Sequence, residues 1–364
     1  MDCFYAAIEI RDNPSLSGLP VAVGGNPNQR GVLCTCNYEA RKYGIRSAMP
    51  SGYALRLCQN LVILPVNIPK YQAVSAAIQE IFTEFTDIIE PLSLDEAYLD
   101  VTNVAHHRGS ATLIAEEIRR LIYNKQHLTA SAGIAPNKFL AKVASDWHKP
   151  NGQFVIAPAQ VEEFVKQLPI NKIFGVGKVT AQKLMQMGIQ TCADLRQQPL
   201  SELVRHFGKF GHSLFQLSRG IDERAVNPHQ KRKSLSAERT FVRDLTTLQD
   251  CQRELVSLFS EVISRLEKTE GNKYKQIKTI FVKLKFADFT MTTVQKTAKN
   301  LCLDEFNSLL HIGFSRRAIP VRLLGLGVRF TDGTLQKSSC RQMDFIFNEQ
   351  VSVNSDQQAW DQCH

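Results

Sequence analysis

Residues 93–100 read Ser93-Leu94-Asp95-Glu96-Ala97-Tyr98-Leu99-Asp100, and the adjacent carboxylates at 95 and 96 decide how the rest is arranged. Neighbouring side chains on a regular strand face opposite ways, so Asp95 and Glu96 can serve one site only at a bend or strand end. Two hard oxygen donors placed there suit Mg²⁺, which shares its shell between carboxylates and substrate phosphates. A solvated strand-connecting turn uses the same residues, and this string alone fits both. On either side, 88–94 and 97–101 read as strands that nearly abut.

Upstream, Val74, Ala77, Ile78, Ile81, Phe82 and Phe85 recur at helical spacing and predict an amphipathic helix over 70–86. Residues 2–10 are apolar and aromatic, and short strands at 20–24 and 31–36 flank a Gly- and Asn-rich turn. Downstream, Ile114, Ile118, Leu121 and Ile122 share one face of a second helix with Ser110 as its cap, and 128–134 is strand-like again. Up to about residue 157 this mixture predicts one α/β or α+β unit with a buried sheet. From 158 to 224 short helices are punctuated by glycines at 175, 177, 188, 208, 211 and 220. The polar, basic run 227–233 reads as a linker. Beyond it, Leu255, Leu258, Phe259, Val262 and Leu266 mark a helix, and two β segments follow. In the first, Ile280, Val282, Leu284 and Phe286 alternate with Thr279, Phe281, Lys283 and Lys285, which places lysines on the open face of a small sheet.

The composition, 43% hydrophobic and 22% charged over 364 residues, is globular and leaves room for several domains. No apolar run approaches the ~20 residues of a membrane span, and no signal peptide opens the chain; the expectation is a cytoplasmic protein with no membrane partner. The 9 cysteines are odd in number and irregularly spaced, which fits reduced thiols. Cys34 and Cys36 lack the second pair or the histidines of a zinc site. The net charge is +9, and residues 231–330 alone hold 19 Lys and Arg against 10 Asp and Glu. The whole excess therefore lies in one domain-sized block, which points to a polyanion, nucleic acid first.

Three further strings carry chemistry. In a helical setting Tyr38 and Arg41 share a face, giving a phenol and a bidentate guanidinium for phosphate or a plain solvated surface. Gly175-Val176-Gly177-Lys178, ahead of a helix, lets backbone N–H groups approach an anion, as in the hairpin of a helix-hairpin-helix; a glycine turn between packed helices is the competing reading. Phe207 to Gly211 is a less regular second copy. Gln342-Met343-Asp344-Phe345-Ile346-Phe347 places spaced apolar residues in a polar tail, which fits a peptide for a partner's groove or a closing strand.

The strings Met1-Asp2-Cys3-Phe4-Tyr5-Ala6-Ala7, Asn37 to Ile45, Pro91 to Thr102, Ser131 to Lys142, Lys149-Pro150-Asn151-Gly152 and Gly175 to Lys178 occur in this order. Together they resemble Y-family DNA polymerases of the DinB type, from residue 1 to about 335. The resemblance implies an α+β multidomain, right-hand polymerase. It has small fingers (3–65, with 1–10 also in the palm), a mixed-sheet palm (66–157) and a helix-hairpin-helix thumb (158–222). A linker (223–234), an α/β little finger (235–335) and a tail (336–364) complete it. It further implies an error-prone, low-processivity translesion polymerase using two Mg²⁺ per active site. Asp95 and Glu96 match the catalytic, metal-binding carboxylates, and Met1 matches a residue whose backbone carbonyl binds metal. Tyr5 matches the steric gate against the ribose 2′-OH, and Tyr38, Arg41 and Lys149 the triphosphate contacts. Gly175, Val176, Gly177, Lys178, Lys283 and Lys285 match DNA contacts, while Gln342, Met343, Phe345 and Phe347 resemble a sliding-clamp-binding peptide. Primer–template DNA, deoxynucleoside triphosphates and the clamp are the implied partners of a monomer.

One departure accompanies the resemblance. The family pattern begins with an apolar strand ending in a metal-binding aspartate just before Met-Asp-Cys-Phe, and Asp2 is not its equivalent. Two expectations stand: a start placed too late in an otherwise active enzyme, or a catalytically impaired fragment that binds DNA and the clamp.

Overall fold

The computed structural model describes residues 1–269, 277–298 and 301–331. Helix α1 (Phe4–Asp12) opens the chain with Phe4, Ala6 and Ile8 buried. Then come β1 (Val21–Gly24), β2 (Leu33–Cys36), α2 (Tyr38–Arg41), α3 (Ser51–Leu57) and β3 (Val62–Leu64). The three strands form one sheet in the order β2-β1-β3, with β1 antiparallel to β2 and parallel to β3. Asn37 is the joint of this unit. Its buried side chain accepts from the Val21 N–H (2.9 Å) and the Ala40 N–H (3.0 Å) and donates to the Leu19 carbonyl (2.7 Å), so one amide caps α2 and pins it to β1. At the Gly- and Asn-rich turn, a Cβ on Gly31 would lie 2.2 Å from the Gly25 backbone, so only glycine fits.

The next unit contains α4 (Ile68–Thr83), β4 (Ile89–Pro91), β5 (Ala97–Leu99), α5 (Ala111–Gln126), β6 (Ala132–Ile134), α6 (Lys138–Ser145) and β7 (Gln153–Val155). Helices α1, α4 and α5 pack through Phe4, Ile8, Tyr71, Ile78, Ile81, Ile114 and Ile122. The strands form two separate pairs, β4–β5 antiparallel and β6–β7 parallel, with no ladder between them. The expected mixed sheet is therefore present as two halves. The Met1 amino group donates to the Asp95 carbonyl at 2.7 Å, and the Asp2 N–H to the Thr129 carbonyl at 3.1 Å, so the first two residues bridge the halves. The Asp2 carboxylate, 2% exposed, accepts from the Ser131 hydroxyl and the Asn151 N–H, both at 2.8 Å. Arg119 on α5 holds Asn151 from the other side, through its carbonyl at 2.6 Å and its side-chain oxygen at 2.9 Å.

Helices α7 (Val161–Gln167), α8 (Lys178–Gln186), α9 (Cys192–Arg196), α10 (Leu200–Phe207) and α11 (Lys209–Leu217) make the third unit. Its core includes Val165, Leu184, Leu195, Leu203 and Leu214, together with Phe139, Leu140 and Val143 of α6, so apolar contact runs across the expected boundary at 157. The second glycine copy is the cleaner helix–hairpin–helix, because Gly208 (φ +57°) joins α10 directly to α11. Before Gly175 the chain makes a 3-10 turn at Ile170–Lys172 instead of continuing the preceding helix.

The last unit is a four-stranded antiparallel sheet backed by two helices: β8 (Ser234–Leu245), α12 (Leu248–Glu267), β9 (Ile277–Phe286), β10 (Met291–Thr297), α13 (Leu303–Ser315) and β11 (Val321–Phe330). The order is β10-β9-β11-β8. Two β segments after the helix was an undercount: among the described residues three strands follow α12 and one precedes it. The missed strands β8 and β10 bury few side chains (Leu235, Ala237 and Phe241; Val294), so their alternation is too polar to stand out. The lysine-bearing alternation of β9 is as expected, with Ile280, Val282, Leu284 and Phe286 buried under α12 and α13. The described cysteines are all free, and no described helix is long and apolar enough to cross a membrane.

Replacing Asp2 with alanine would take the acceptor from the part-buried Ser131 hydroxyl and Asn151 N–H, at a cost of about 1 kcal/mol each. The Asn151 amide is then expected to exchange its hydrogen on the order of tenfold faster or more, with a lower melting temperature. Exchange at the wild-type rate would show that the carboxylate does not hold this turn.

Candidate active site

A cleft of about 420 Å³ opens where the first two units meet, lined among others by Met1, Tyr5, Tyr38, Arg41, Asp95 and Lys149. Five stretches of chain converge on it. The β4–β5 hairpin supplies Asp95 from the loop 92–96, a bend that lets neighbouring carboxylates depart from strand alternation. Inside this loop the Ser93 hydroxyl donates to Asp95 at 2.7 Å. Glu96 is more exposed and pairs with Lys142 of α6 at 2.9 Å. The cleft therefore takes Asp95 directly, while Glu96 stands beside it on a cation the sequence reading missed.

Tyr5 projects from α1 and lies flat against Tyr71 of α4, with ring centroids 4.0 Å apart and planes 11° from parallel. Tyr71 is fully buried and donates its hydroxyl to Glu9 at 2.7 Å; Lys70 takes the other Glu9 oxygen at 2.7 Å. Burial, and then the Asp95 charge, raise the Tyr5 hydroxyl above its ordinary value, so the ring stays neutral. The sequence reading does not single out Tyr71, which lies within the helix expected over 70–86; nothing in a single sequence marks its stacking partner.

Tyr38 and Arg41 sit on the single turn of α2, with the guanidinium 4.6 Å from the centre of the ring. The Tyr38 hydroxyl is buried and has no hydrogen-bond partner within the protein. Burial pushes it up to about 12, with Asp2 adding to the shift and Arg41 opposing it, which leaves a neutral donor at physiological pH. Lys149, on the turn held by Asp2 and Arg119, pairs with Asp146 at 2.8 Å. A phenol donor, a guanidinium and an ammonium around one cleft suit a polyphosphate.

The donor chemistry near Asp95 is that of a hard divalent cation, yet the count is short. No group of three or more His, Cys, Asp or Glu among the described residues is arranged for a metal. The Met1 amino group also lies here, its basicity lowered by burial despite the raising charges of Asp95 and Asp2.

Two candidate surfaces lie outside the cleft. Gly175 (φ +87°) turns the chain so that Gly177 caps α8, while Val176 is buried as the hairpin's anchor. A Cβ at Gly175 would come within 3.0 Å of the Phe210 ring, so glycine lets the two hairpin turns pack together. On the last unit, Lys283 and Lys285 lie on the open sheet face, with Lys283 paired to Glu238 at 2.9 Å and Lys285 4.8 Å from the Phe289 ring. Gln342, Met343, Phe345 and Phe347 lie outside the described residues.

The impB/mucB/samB family matches residues 1–146, a DNA polymerase-iota thumb domain residues 171–222, and the impB/mucB/samB C-terminal domain residues 232–345. The chain is 55% identical to DNA polymerase IV of Ectopseudomonas mendocina (strain ymp) over 331 residues, 91% of this chain and 94% of that protein. DNA polymerase IV of Pseudomonas entomophila (strain L48) gives 55% over 331 residues, 91% and 93%. Among solved structures, the Y-family DNA polymerase chimera Dbh-Dpo4(243-245)-Dbh superposes with a TM-score of 0.82 at 30% identity, over 90% of this chain and 96% of its own. DinB from Sulfolobus solfataricus superposes at 0.62 and 30% identity, over 91% and 97%. With domain order, identity along the chain and three-dimensional likeness in agreement, this chain belongs to the Y family of DNA polymerases, in its DinB-type branch, the DNA-directed polymerases of translesion synthesis.

Proposed function

We propose that the chain transfers a deoxynucleotide from its triphosphate to the 3′-OH of a template-paired primer, in an error-prone, low-processivity mode that serves DNA damage tolerance. The observation that carries this reading is the convergence of Asp95, Tyr5, Tyr38, Arg41 and Lys149 on one cleft from separate segments. Arg41 and Lys149 neutralise the triphosphate, and the unpartnered Tyr38 hydroxyl donates to one of its oxygens. The primer 3′-oxygen bonds to the α-phosphorus as the bond to pyrophosphate breaks. The Tyr5 ring, held flat by Tyr71, lies under the sugar and leaves no room for a 2′-OH. Asp95, Glu96 and the Met1 carbonyl would hold Mg²⁺, two ions per site by family likeness, which when bound supply charge stabilisation at the attacking and leaving oxygens. The amides of Gly175, Val176, Gly177 and Lys178, with Lys283 and Lys285, contact the DNA backbone, where pairing rather than protein reads sequence. Gln342, Met343, Phe345 and Phe347 dock the otherwise monomeric enzyme on the sliding clamp.

The second reading, a fragment that binds DNA and the clamp but turns over poorly, is favoured by the shortage of carboxylates. Primer extension separates them when this chain, its Asp95→Ala variant and a version preceded by an apolar strand ending in aspartate are run together with Mg²⁺. Extension by this chain that Asp95→Ala abolishes supports the first reading; extension only by the lengthened version supports the second, and shortening of the primer contradicts both. In whichever form is active, Tyr5→Ala should admit ribonucleotides at least tenfold more readily, and unchanged sugar discrimination would remove the gate role. Phe347→Ala should weaken clamp affinity by about 1–3 kcal/mol; an unchanged affinity measured by titration would assign the tail peptide a structural role only.

A further inference from the structure

Among the described residues, the most deeply buried ion pair outside the cleft joins Glu90 of β4, 4% exposed, to Lys138 at the start of α6, 8% exposed. Neither residue faces the site described above. Their remaining hydrogen-bonding capacity is directed at the linker. Glu90 accepts from the Asn227 N–H at 2.8 Å and from the Gln230 side-chain amide at 2.7 Å, and Lys138 donates to the Ala225 carbonyl at 3.1 Å. Burial alone would raise the Glu90 carboxyl, but Lys138 and the linker donors outweigh it and leave it below the usual carboxylate range. Upstream, Asn137 donates to the Gly220 carbonyl at 2.8 Å, and Asp222 accepts from the Phe139 N–H at 2.9 Å. The linker is thus fastened to the palm from Gly220 to Gln230.

We propose that Glu90 and Lys138 are positioning residues for DNA binding: by fastening the linker through Gln230 they fix where the little finger can present its cationic sheet. Geometry gives the scale. From Gln230 to the start of β8 at Ser234 is four residue steps, which reach at most about 14 Å when extended. With the Glu90 contacts gone and Ala225, held by Lys138, the last fastened residue, nine steps reach about 32 Å. The space open to the tethered domain then grows on the order of tenfold, and its effective concentration at the DNA falls in proportion. The second tie on the little finger is weak by comparison. Arg30 of the fingers pairs with Asp244, the only such ion pair to the fingers among the described residues, and both partners are partly exposed and open to screening by salt.

This inference rests on the little finger being a DNA-binding surface, and the experiment tests the two separately. The full chain is compared with a linker-side double variant, Asn227→Pro with Gln230→Ala, which removes both donors and leaves the buried pair intact. Glu90→Gln approaches the same contacts from the palm, and Lys283→Ala with Lys285→Ala tests the DNA face. Small-angle scattering of the free proteins and anisotropy titration with primer–template duplex are the readouts. The linker variant should broaden the distance distribution and weaken DNA binding on the order of tenfold, while still unfolding in a cooperative transition above the assay temperature. Unaltered scattering from the linker variant overturns the anchor, even if Glu90→Gln fails to fold. Altered scattering with DNA affinity lost in neither the linker variant nor the double lysine variant keeps the anchor as a mechanical tie and rejects the DNA-face reading on which its purpose rests.

Discussion

The buried Asp2 carboxylate is the point on which the active end of the molecule depends. A carboxylate out of water is unfavourable unless its oxygens are occupied, and here each takes one donor, from Ser131 and from Asn151. The same residue's N–H, and the amino group before it, reach the two strand pairs that share no ladder. Asp95 on one pair and Lys149 on the segment between the strands of the other are therefore tied through these two residues together with the Glu96–Lys142 and Glu90–Lys138 ion pairs.

Much of the fold was legible in sequence because it rests on periodicity. The helix carrying Val74, Ile78 and Ile81, the Ser110 cap and the alternation of β9 need only local reading, and all three are found. Strand geometry left Asp95 and Glu96 either sharing a site at a bend or standing on a solvated turn, and the loop 92–96 brings Asp95 to the cleft while Glu96 pairs with Lys142. What could not be read was long-range pairing between polar residues. Glu90 meets Lys138 across 48 positions and Asn227 across 137, and no pattern in one chain links them. Strands β8 and β10 failed for another reason: they are the two edges of their sheet and bury only Leu235, Ala237, Phe241 and Val294, too few apolar positions to announce a period. Tyr71 shows a third limit: a residue that satisfies helical spacing gives no sign that one face of its ring also supports a neighbour.

Electrostatics divides the molecule into two regimes. Glu90–Lys138 is enclosed, with its oxygens and protons occupied, so ions in solution barely reach it. Arg30–Asp244 is partly open and weakens as salt rises. The linker end of the little finger is thus held independently of ionic strength while its contact with the fingers is not.

Helix α6 lies in the palm by sequence, yet Phe139, Leu140 and Val143 are buried among the thumb's leucines. Palm and thumb therefore share a core and should unfold as one cooperative unit. The chain cannot be cut near 157 into two self-sufficient pieces, because either fragment would carry half of an apolar interface into water. For recombination between related polymerases, the tolerant seam is the polar linker after the thumb; a thumb exchanged without α6 would meet a helix face shaped for another partner.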